Sequence, residues 1–331
     1  MPINPVIVFN ERLEAIEKDF LSSIHPKKIL GNYNQCFNIG FLYIILSCDE
    51  LEIMNKLSIY YNLNSEIRKY SSVVIIKFEI NEKVELMEED FTWLENVQEI
   101  KKGKDIYNST IYKYKNIIFI KSESSHYLKI IASSTEEILN SFSIITKLIE
   151  GIVIDQYIGA GYLPVHSSLV KNEKECNLIL GHSQTGKTTF AKKFLNRDFS
   201  IVTDEITFIS NKDIIGFGQY MKEYSSEKNI INIEQYNNVS RKVVKLPTEN
   251  FALNEINHIF LMDLSKNESF SKSVKDFNEK VKYMIEYLHL FPNEYFIDKD
   301  VSYTLLMEVA KRLANIEVTI VNNKYDYALQ I

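Results

Sequence analysis

The chain has 331 residues, 45% hydrophobic, 25% charged and 12% aromatic, with only 10 glycines and 6 prolines. These values exclude a disordered, collagen-like or low-complexity polymer and describe a globular protein long enough for two domains. A net charge of -6, from 38 basic and 44 acidic residues, argues against nucleic acid as the partner.

The three cysteines, Cys36, Cys48 and Cys176, are too few and too scattered for a disulfide framework or a zinc site. They read as free thiols in a reducing compartment. Residues Met1 to Asp19 carry no basic segment followed by an apolar core, so nothing there marks the chain for secretion. The longest apolar stretch, Phe37 to Cys48, is about 12 residues, too short to span a bilayer. A soluble, cytoplasmic protein with no membrane partner is expected.

Val73 to Ile80 is a β-branched run, and Ser109 to Phe119 and Tyr127 to Ala132 are further strand-like segments. Between them an acidic stretch, Glu82, Glu85, Glu88, Glu89 and Asp90, reads as a solvated helix face or loop. Thr135, Glu136 and Glu137 then give a helix start. Ile138, Phe142, Ile145, Leu148, Ile152 and Ile154 recur near helical spacing up to Gly159. The pattern predicts one long helix joining two domains, a mixed α+β domain over 1–150 and a second over 151–331.

Seven of the ten glycines fall between Gly151 and Gly218, where backbone has to turn sharply or approach a ligand. The order there is strand (Val165–Val170), strand (Asn177–Leu180), glycine loop, helix (Thr189–Leu195) and strand (Ser200–Ile209). That rhythm predicts an α/β domain with a βαβ unit and a parallel or mixed sheet. Further on come a strand over Ile256–Leu264, helices near Lys272–Leu290 and Tyr303–Ala314, and a last strand over Ile316–Val321.

One motif is sharp. Gly181-His182-Ser183-Gln184-Thr185-Gly186-Lys187-Thr188 fits G-x-x-x-x-G-K-[ST], with an apolar strand before it and an amphipathic helix, opening at Thr189, after it. Glycines at both ends let backbone N–H groups converge on one anion, and the helix start adds its positive dipole end. Lys187 would reach the outer phosphates and Thr188 would offer its hydroxyl to Mg²⁺. The motif therefore points to a nucleoside triphosphate.

A second constellation is Thr203-Asp204-Glu205, which ends an apolar run 17 positions after Lys187 (187 to 204). That interval allows one helix and a return strand, so both carboxylates arrive beside the loop, one for Mg²⁺ and one to accept a proton. A rival is Ile259-Phe260-Leu261-Met262-Asp263, which is expected to be a further sheet strand whose Asp263 caps a turn. His166, in Pro164-Val165-His166-Ser167-Ser168, stands alone in a strand-like segment; such a histidine most often has a structural role.

Together His166, the loop and the acidic pair resemble the HPr kinase/phosphorylase family, especially its kinase-related branch. That family shows a V-H-x segment, a strand, G-x-S-x-x-G-K-[ST], and a return strand ending in an acidic pair. The likeness covers about residues 140–220. It implies a P-loop kinase fold of the HPr kinase and phosphoenolpyruvate carboxykinase type, preceded by the α+β domain. On that resemblance Asp204 is the general base on an acceptor hydroxyl and Glu205 a metal-associated acid. Lys187 and Thr188 keep their phosphate and Mg²⁺ roles, and His166 tunes or orients the catalytic acid.

The chain departs from the family in two places. Gln184 stands where the family often has glycine, and the E-x-R-G-x-G signature of the bifunctional enzymes is missing, Gly216-Phe217-Gly218 being its nearest counterpart. The resemblance thus implies an ATP- and Mg²⁺-dependent kinase for a Ser or Thr hydroxyl of a peptide or small protein, with residues 1–150 serving acceptor recognition or assembly. A kinase of a free metabolite such as L-serine and a nucleotide-gated regulatory module are the alternatives. The family also favours a homo-oligomer. Arg241, in Val239-Ser240-Arg241-Lys242, is the candidate cation for the transferring phosphoryl group, since a planar, always-charged fork suits that charge.

Overall fold

The computed structural model describes residues 31–61, 72–81, 93–97, 100–104, 110–122, 126–182, 185–195, 197–217, 220–223, 232–236, 239–245, 250–252, 255–263, 270–288, 297 and 299–322. The acidic stretch from Glu82 to Asp90 lies outside them. The fold is mixed α/β with mixed sheets, and the chain divides into two units between Gln156 and Tyr157, inside the helix expected to join two domains. No described helix is long and apolar enough to cross a membrane. Cys36, Cys48 and Cys176 are buried and form no disulfide among the described residues.

The first unit is built on an eight-stranded sheet. Its strands are β1 (Tyr33–Ile39), β2 (Leu42–Cys48), β3 (Ser72–Ile80), β4 (Trp93–Val97), β5 (Ile100–Lys104), β6 (Thr110–Tyr114), β7 (Ile117–Lys121) and β8 (Tyr127–Ala132), in the order β1-β2-β3-β8-β7-β6-β5-β4. The apolar stretch Phe37–Cys48 is thus most of a hairpin, β1 on β2, turned at Gly40 with φ +51°. Helix α1 (Leu51–Tyr60) carries the chain over so that β3 joins β2 in parallel.

Two expectations for this unit are corrected. The single strand over Ser109–Phe119 is a hairpin, β6 on β7, because the polar pair Lys115-Asn116 turns the chain, with Lys115 at φ +53°. The single helix from Thr135 is two, α2 (Thr135–Asn140) and α3 (Phe142–Gly159). Ser134 Oγ caps the first by accepting from Glu137 N at 3.3 Å. Ser141 leaves the helical region (φ -106°, ψ 17°), and its carbonyl then accepts from the N–H groups of Ile144 and Ile145 to open the second.

The second unit holds β9 (Leu163–Lys171), β10 (Cys176–Gly181), helix α4 (Lys187–Leu195), β11 (Ser200–Thr203), β12 (Ile206–Ile209) and β13 (Asp213–Phe217). A separate three-stranded sheet follows, β14 (Tyr220–Glu223), β15 (Asn232–Tyr236) and β16 (Val239–Lys245). The chain ends with β17 (Asn250–Ala252), β18 (Ile256–Met262), β19 (Phe270–Val274), α5 (Phe277–Leu288), α6 (Tyr303–Leu313) and β20 (Glu317–Asn322). The main sheet runs β17-β13-β12-β9-β10-β18-β20-β19, with β11 also on β9.

Strands β10, β18 and β20 are parallel neighbours, while β9 is antiparallel to β10 and to β11. The unit β10-α4-β11 is therefore a crossover between two strands of like direction with β9 lying between them. The helix expected from Lys272 begins later: Phe270–Val274 is a strand on β20, and Asp276 Oδ1 accepts from Glu279 N at 2.8 Å to start α5.

Alternation along β10 builds two cores. Leu178 and Leu180 pack with Met284, Leu288, Val309 and Leu313 of α5 and α6. Ile179 points to the other face, with Phe190 and Phe194 of α4 and with Phe260 and Phe199. The sheet is thus a layer between α4 and the α5–α6 pair.

In the first unit Lys121 Nζ of β7 meets Asp155 Oδ2 of α3 at 2.7 Å, with side chains 2% and 0% exposed. Breaking such a pair leaves a buried charge, whereas replacing both partners by apolar groups does not. Asp155→Ala should destabilise the protein by roughly 3–5 kcal/mol in urea unfolding, and Lys121→Met combined with Asp155→Leu should regain most of it. Additive losses in the double variant would contradict this account.

Candidate functional site

The Walker-pattern loop leaves the sheet at the end of β10. A Cβ on Gly181 would stand 2.5 Å from Thr185 Oγ1 and 2.8 Å from Met262 Cβ of the neighbouring strand, so no side chain fits there. Gly186 has φ +86°, in the left-handed region that glycine alone enters at no steric cost. Helix α4 starts at the next residue, with Phe190 N donating to Gly186 O at 2.8 Å. Rings of Phe190 and Phe194 lie 5.3 and 5.6 Å from that of Phe260 and hold the helix on the sheet.

Within the loop, Thr185 Oγ1 donates to His182 O at 2.8 Å. Lys187 is buried, and its Nζ donates to the carbonyls of Gly181 and His182 at 2.9 and 2.8 Å. Burial pushes its pKa down to about 8, against the pull of Asp204 and Glu205. His182 is exposed, its ring 5.6 Å from that of Tyr287, and Thr189 is exposed on α4. Ser183 and Gln184 lie outside the described residues.

The expected strand Ser200–Ile209 is broken where the acids stand: β11 ends at Thr203, β12 begins at Ile206, and Asp204-Glu205 form the break. Thr203 Oγ1 ties the corner by donating to Ile206 O at 3.0 Å. The Asp204 carboxylate is 4% exposed. Its Oδ2 accepts from Thr188 Oγ1 at 2.8 Å and its Oδ1 from Ser168 Oγ at 2.5 Å. Burial raises its pKa to about 7; the two hydroxyls lower it, the Glu205 charge raises it, and Lys187 lowers it.

His166 is half-buried on β9 beside this corner. Its Nδ1 lies 2.9 Å from Glu205 O, and since a carbonyl only accepts, Nδ1 carries the proton. Burial lowers its pKa, Lys187 lowers it further, and the Glu205 carboxylate and carbonyl oppose the fall. His166, Lys187, Thr188, Asp204 and Glu205 are thus gathered at the start of α4.

Asp263 directly follows the strand beside the loop, one residue past the partner of Gly181. The run ending at Asp263 is a further sheet strand, as expected, and it lies beside and parallel to β10, but the Thr188 hydroxyl bonds Asp204. Asp263 N donates to Val321 O at 3.0 Å. Arg241 stands in β16 of the separate sheet, paired in register with Glu234, and its side chain lies outside what is described. The sequence motifs assign no role to Ser168, which is fully buried. Its signal was a hydroxyl residue two positions after His166, on the face of β9 that also carries Pro164 and Val170.

No family model and no curated protein sequence matches the chain.

The donor set suits Mg²⁺. It offers hard oxygens, the Thr188 hydroxyl and the Asp204 carboxylate, and Mg²⁺ is commonly held by one or two carboxylates plus substrate phosphates. The loop suits a phosphate equally, because its buried ammonium, hydrogen-bonded to two carbonyls, is lowered in pKa by desolvation. An anion there would oppose that fall.

The Asp204 shift has a definite sign. Its carboxyl rises from 3.8 to about 7 on folding, so its contribution to stability is full below about pH 4 and is lost as pH rises through 7. Asp204→Asn should therefore raise the melting temperature of ligand-free protein by several degrees at pH 8, with the gain shrinking towards pH 4. Thermal melts at both pH values check this; an equal difference at both would contradict the shift.

Proposed function

We propose that the chain is an ATP- and Mg²⁺-dependent kinase that phosphorylates a Ser or Thr hydroxyl of a peptide or small protein, on a P-loop fold of the HPr kinase type. The observation that carries this reading is the bond between Asp204 and the Thr188 hydroxyl at the end of the Walker-pattern loop, with buried Lys187 alongside. A hydroxyl that can face Mg²⁺, a cation that can face phosphate and a carboxylate that can take a proton meet at one helix start.

Each group has a role in transfer. Lys187 and the N–H groups at the start of α4 would hold the outer phosphates. Thr188, with Asp204 and Glu205, would hold Mg²⁺, and bound Mg·ATP would supply the phosphoryl group and neutralise part of its charge. Asp204 takes the acceptor's hydroxyl proton. A carboxyl with pKa about 7 is a stronger base than an ordinary aspartate and still exchanges its proton at neutral pH. Each carboxylate oxygen has two lone pairs, so the bonds from Ser168 and Thr188 leave one on each for an incoming hydroxyl or metal. His166 fixes the backbone at Glu205 and so the direction of the acidic pair. Arg241 is proposed to meet the charge on the transferred group when acceptor binds.

Incubating the protein and Mg·ATP with small proteins and peptides of the host lysate should add about 80 Da, one phosphoryl group, to a Ser or Thr. Asp204→Asn should lower that transfer at least about 100-fold while nucleotide binding persists. Lys187→Ala should weaken both. Free L-serine run in parallel separates a metabolite kinase from a peptide kinase, and transfer unchanged in Asp204→Asn would overturn the base assignment.

A further inference from the structure

Asp204 is held by two hydroxyls from two different layers. Thr188 belongs to helix α4, while Ser168 belongs to β9, the strand hydrogen-bonded on one side to β10 and on the other to β11 and β12. An ionised carboxylate only accepts, so both hydroxyls donate, one to each oxygen. A carboxylate with a single anchor is free to turn about its side-chain bonds; with two anchors, one on the sheet and one on the helix, its plane is set. Ser168 is fully buried and the backbone on either side of it is paired, so its own position is fixed by the sheet.

We infer that Ser168 is a positioning residue: its hydroxyl clamps Oδ1 of Asp204, so that Oδ2 stays on Thr188 and the carboxylate keeps the one direction from which it serves the acceptor hydroxyl. The role in transfer rests on the kinase reading above; the clamp itself does not. A buried serine could instead be merely a satisfied polar group, and the neighbouring residue provides the control. Ser167 is equally buried, but its hydroxyl donates to Thr207 Oγ1 at 2.6 Å on the opposite face of the strand. Removal of either hydroxyl deletes one atom from the same strand; only one of them faces Asp204.

The test compares Ser168→Ala, Ser168→Thr and Ser167→Ala in the lysate transfer assay with Mg·ATP. Misplacing a reacting group by about 1 Å can cost about 100-fold in rate. Ser168→Ala should therefore lower kcat by about 10- to 100-fold with KM for ATP little changed, Ser168→Thr should regain most of it, and Ser167→Ala should stay within about twofold. Loss of kcat in Ser167→Ala equal to that in Ser168→Ala, or an unchanged Ser168→Ala, would overturn the inference.

If the wild-type protein transfers no phosphate to any acceptor, the kinase reading has failed, and urea unfolding of Ser168→Ala, Asp204→Ala and the double variant decides the clamp. A double variant less destabilised than the two single changes added together would support it, and strict additivity would overturn it.

Discussion

Strand β10 is apolar on both faces because helices cover the sheet from either side, and the placement of the site depends on that burial. Leu178 and Leu180 are fixed by α5 and α6, Ile179 by α4, and β9 and β18 close its two edges. A strand held on four sides delivers its last residue, Gly181, to one place at the centre of the sheet edge. The chain must then turn at once, and the phenylalanine cluster of α4 fixes the direction in which it leaves. The loop needs little room of its own, because Gly181 touches Met262 of the next strand so closely that a methyl group would not fit.

What the fold places beside that loop is electrostatically expensive. Burial drives Asp204 up to about 7 and Lys187 down to about 8, so both groups are moved towards their neutral forms. The lysine finds carbonyl oxygens and the aspartate finds hydroxyls, dipoles that soften the burial of a charge without cancelling it. Groups tuned in this way are useful in phosphoryl transfer, where charge has to be met and a proton moved near neutral pH. The same burial lowers the stability of the ligand-free protein. Hence the stabilising effect expected from removing the Asp204 charge and the loss of function proposed for the same change have one cause.

Much of this was legible in the sequence where one residue type answers one physical need. Gly186 needs a positive φ, Gly181 needs space, and the apolar triplet before the loop needs two covered faces, so pattern and structure agree. The same reasoning worked less well at turns. Lys115-Asn116 splits an apparent strand, Ser141 splits an apparent helix, and Phe270–Val274 pairs with β20 although its residues also fit a helical pattern. At the first two the break is made locally, by a turn and by one non-helical residue, and at the third the pairing with β20 decided.

The sequence by itself determined the kinds of group present: a Walker-pattern loop on a strand-to-helix turn, a lysine and a threonine at fixed offsets, and two adjacent acids one crossover later. Those are relations along the chain, and spacing is enough to read them. The tertiary structure decided which atoms meet. Asp204 rather than Asp263 receives the Thr188 hydroxyl, His166 holds the backbone of Glu205, and Ser168 closes on the other carboxylate oxygen. The physical reason is that β9 lies between β10 and β11, although β10 and β11 are consecutive strands and β9 precedes both. An antiparallel neighbour inserted into a crossover brings residues some 36 positions apart (168 to 204) within hydrogen-bonding distance, a relation no spacing along the chain encodes.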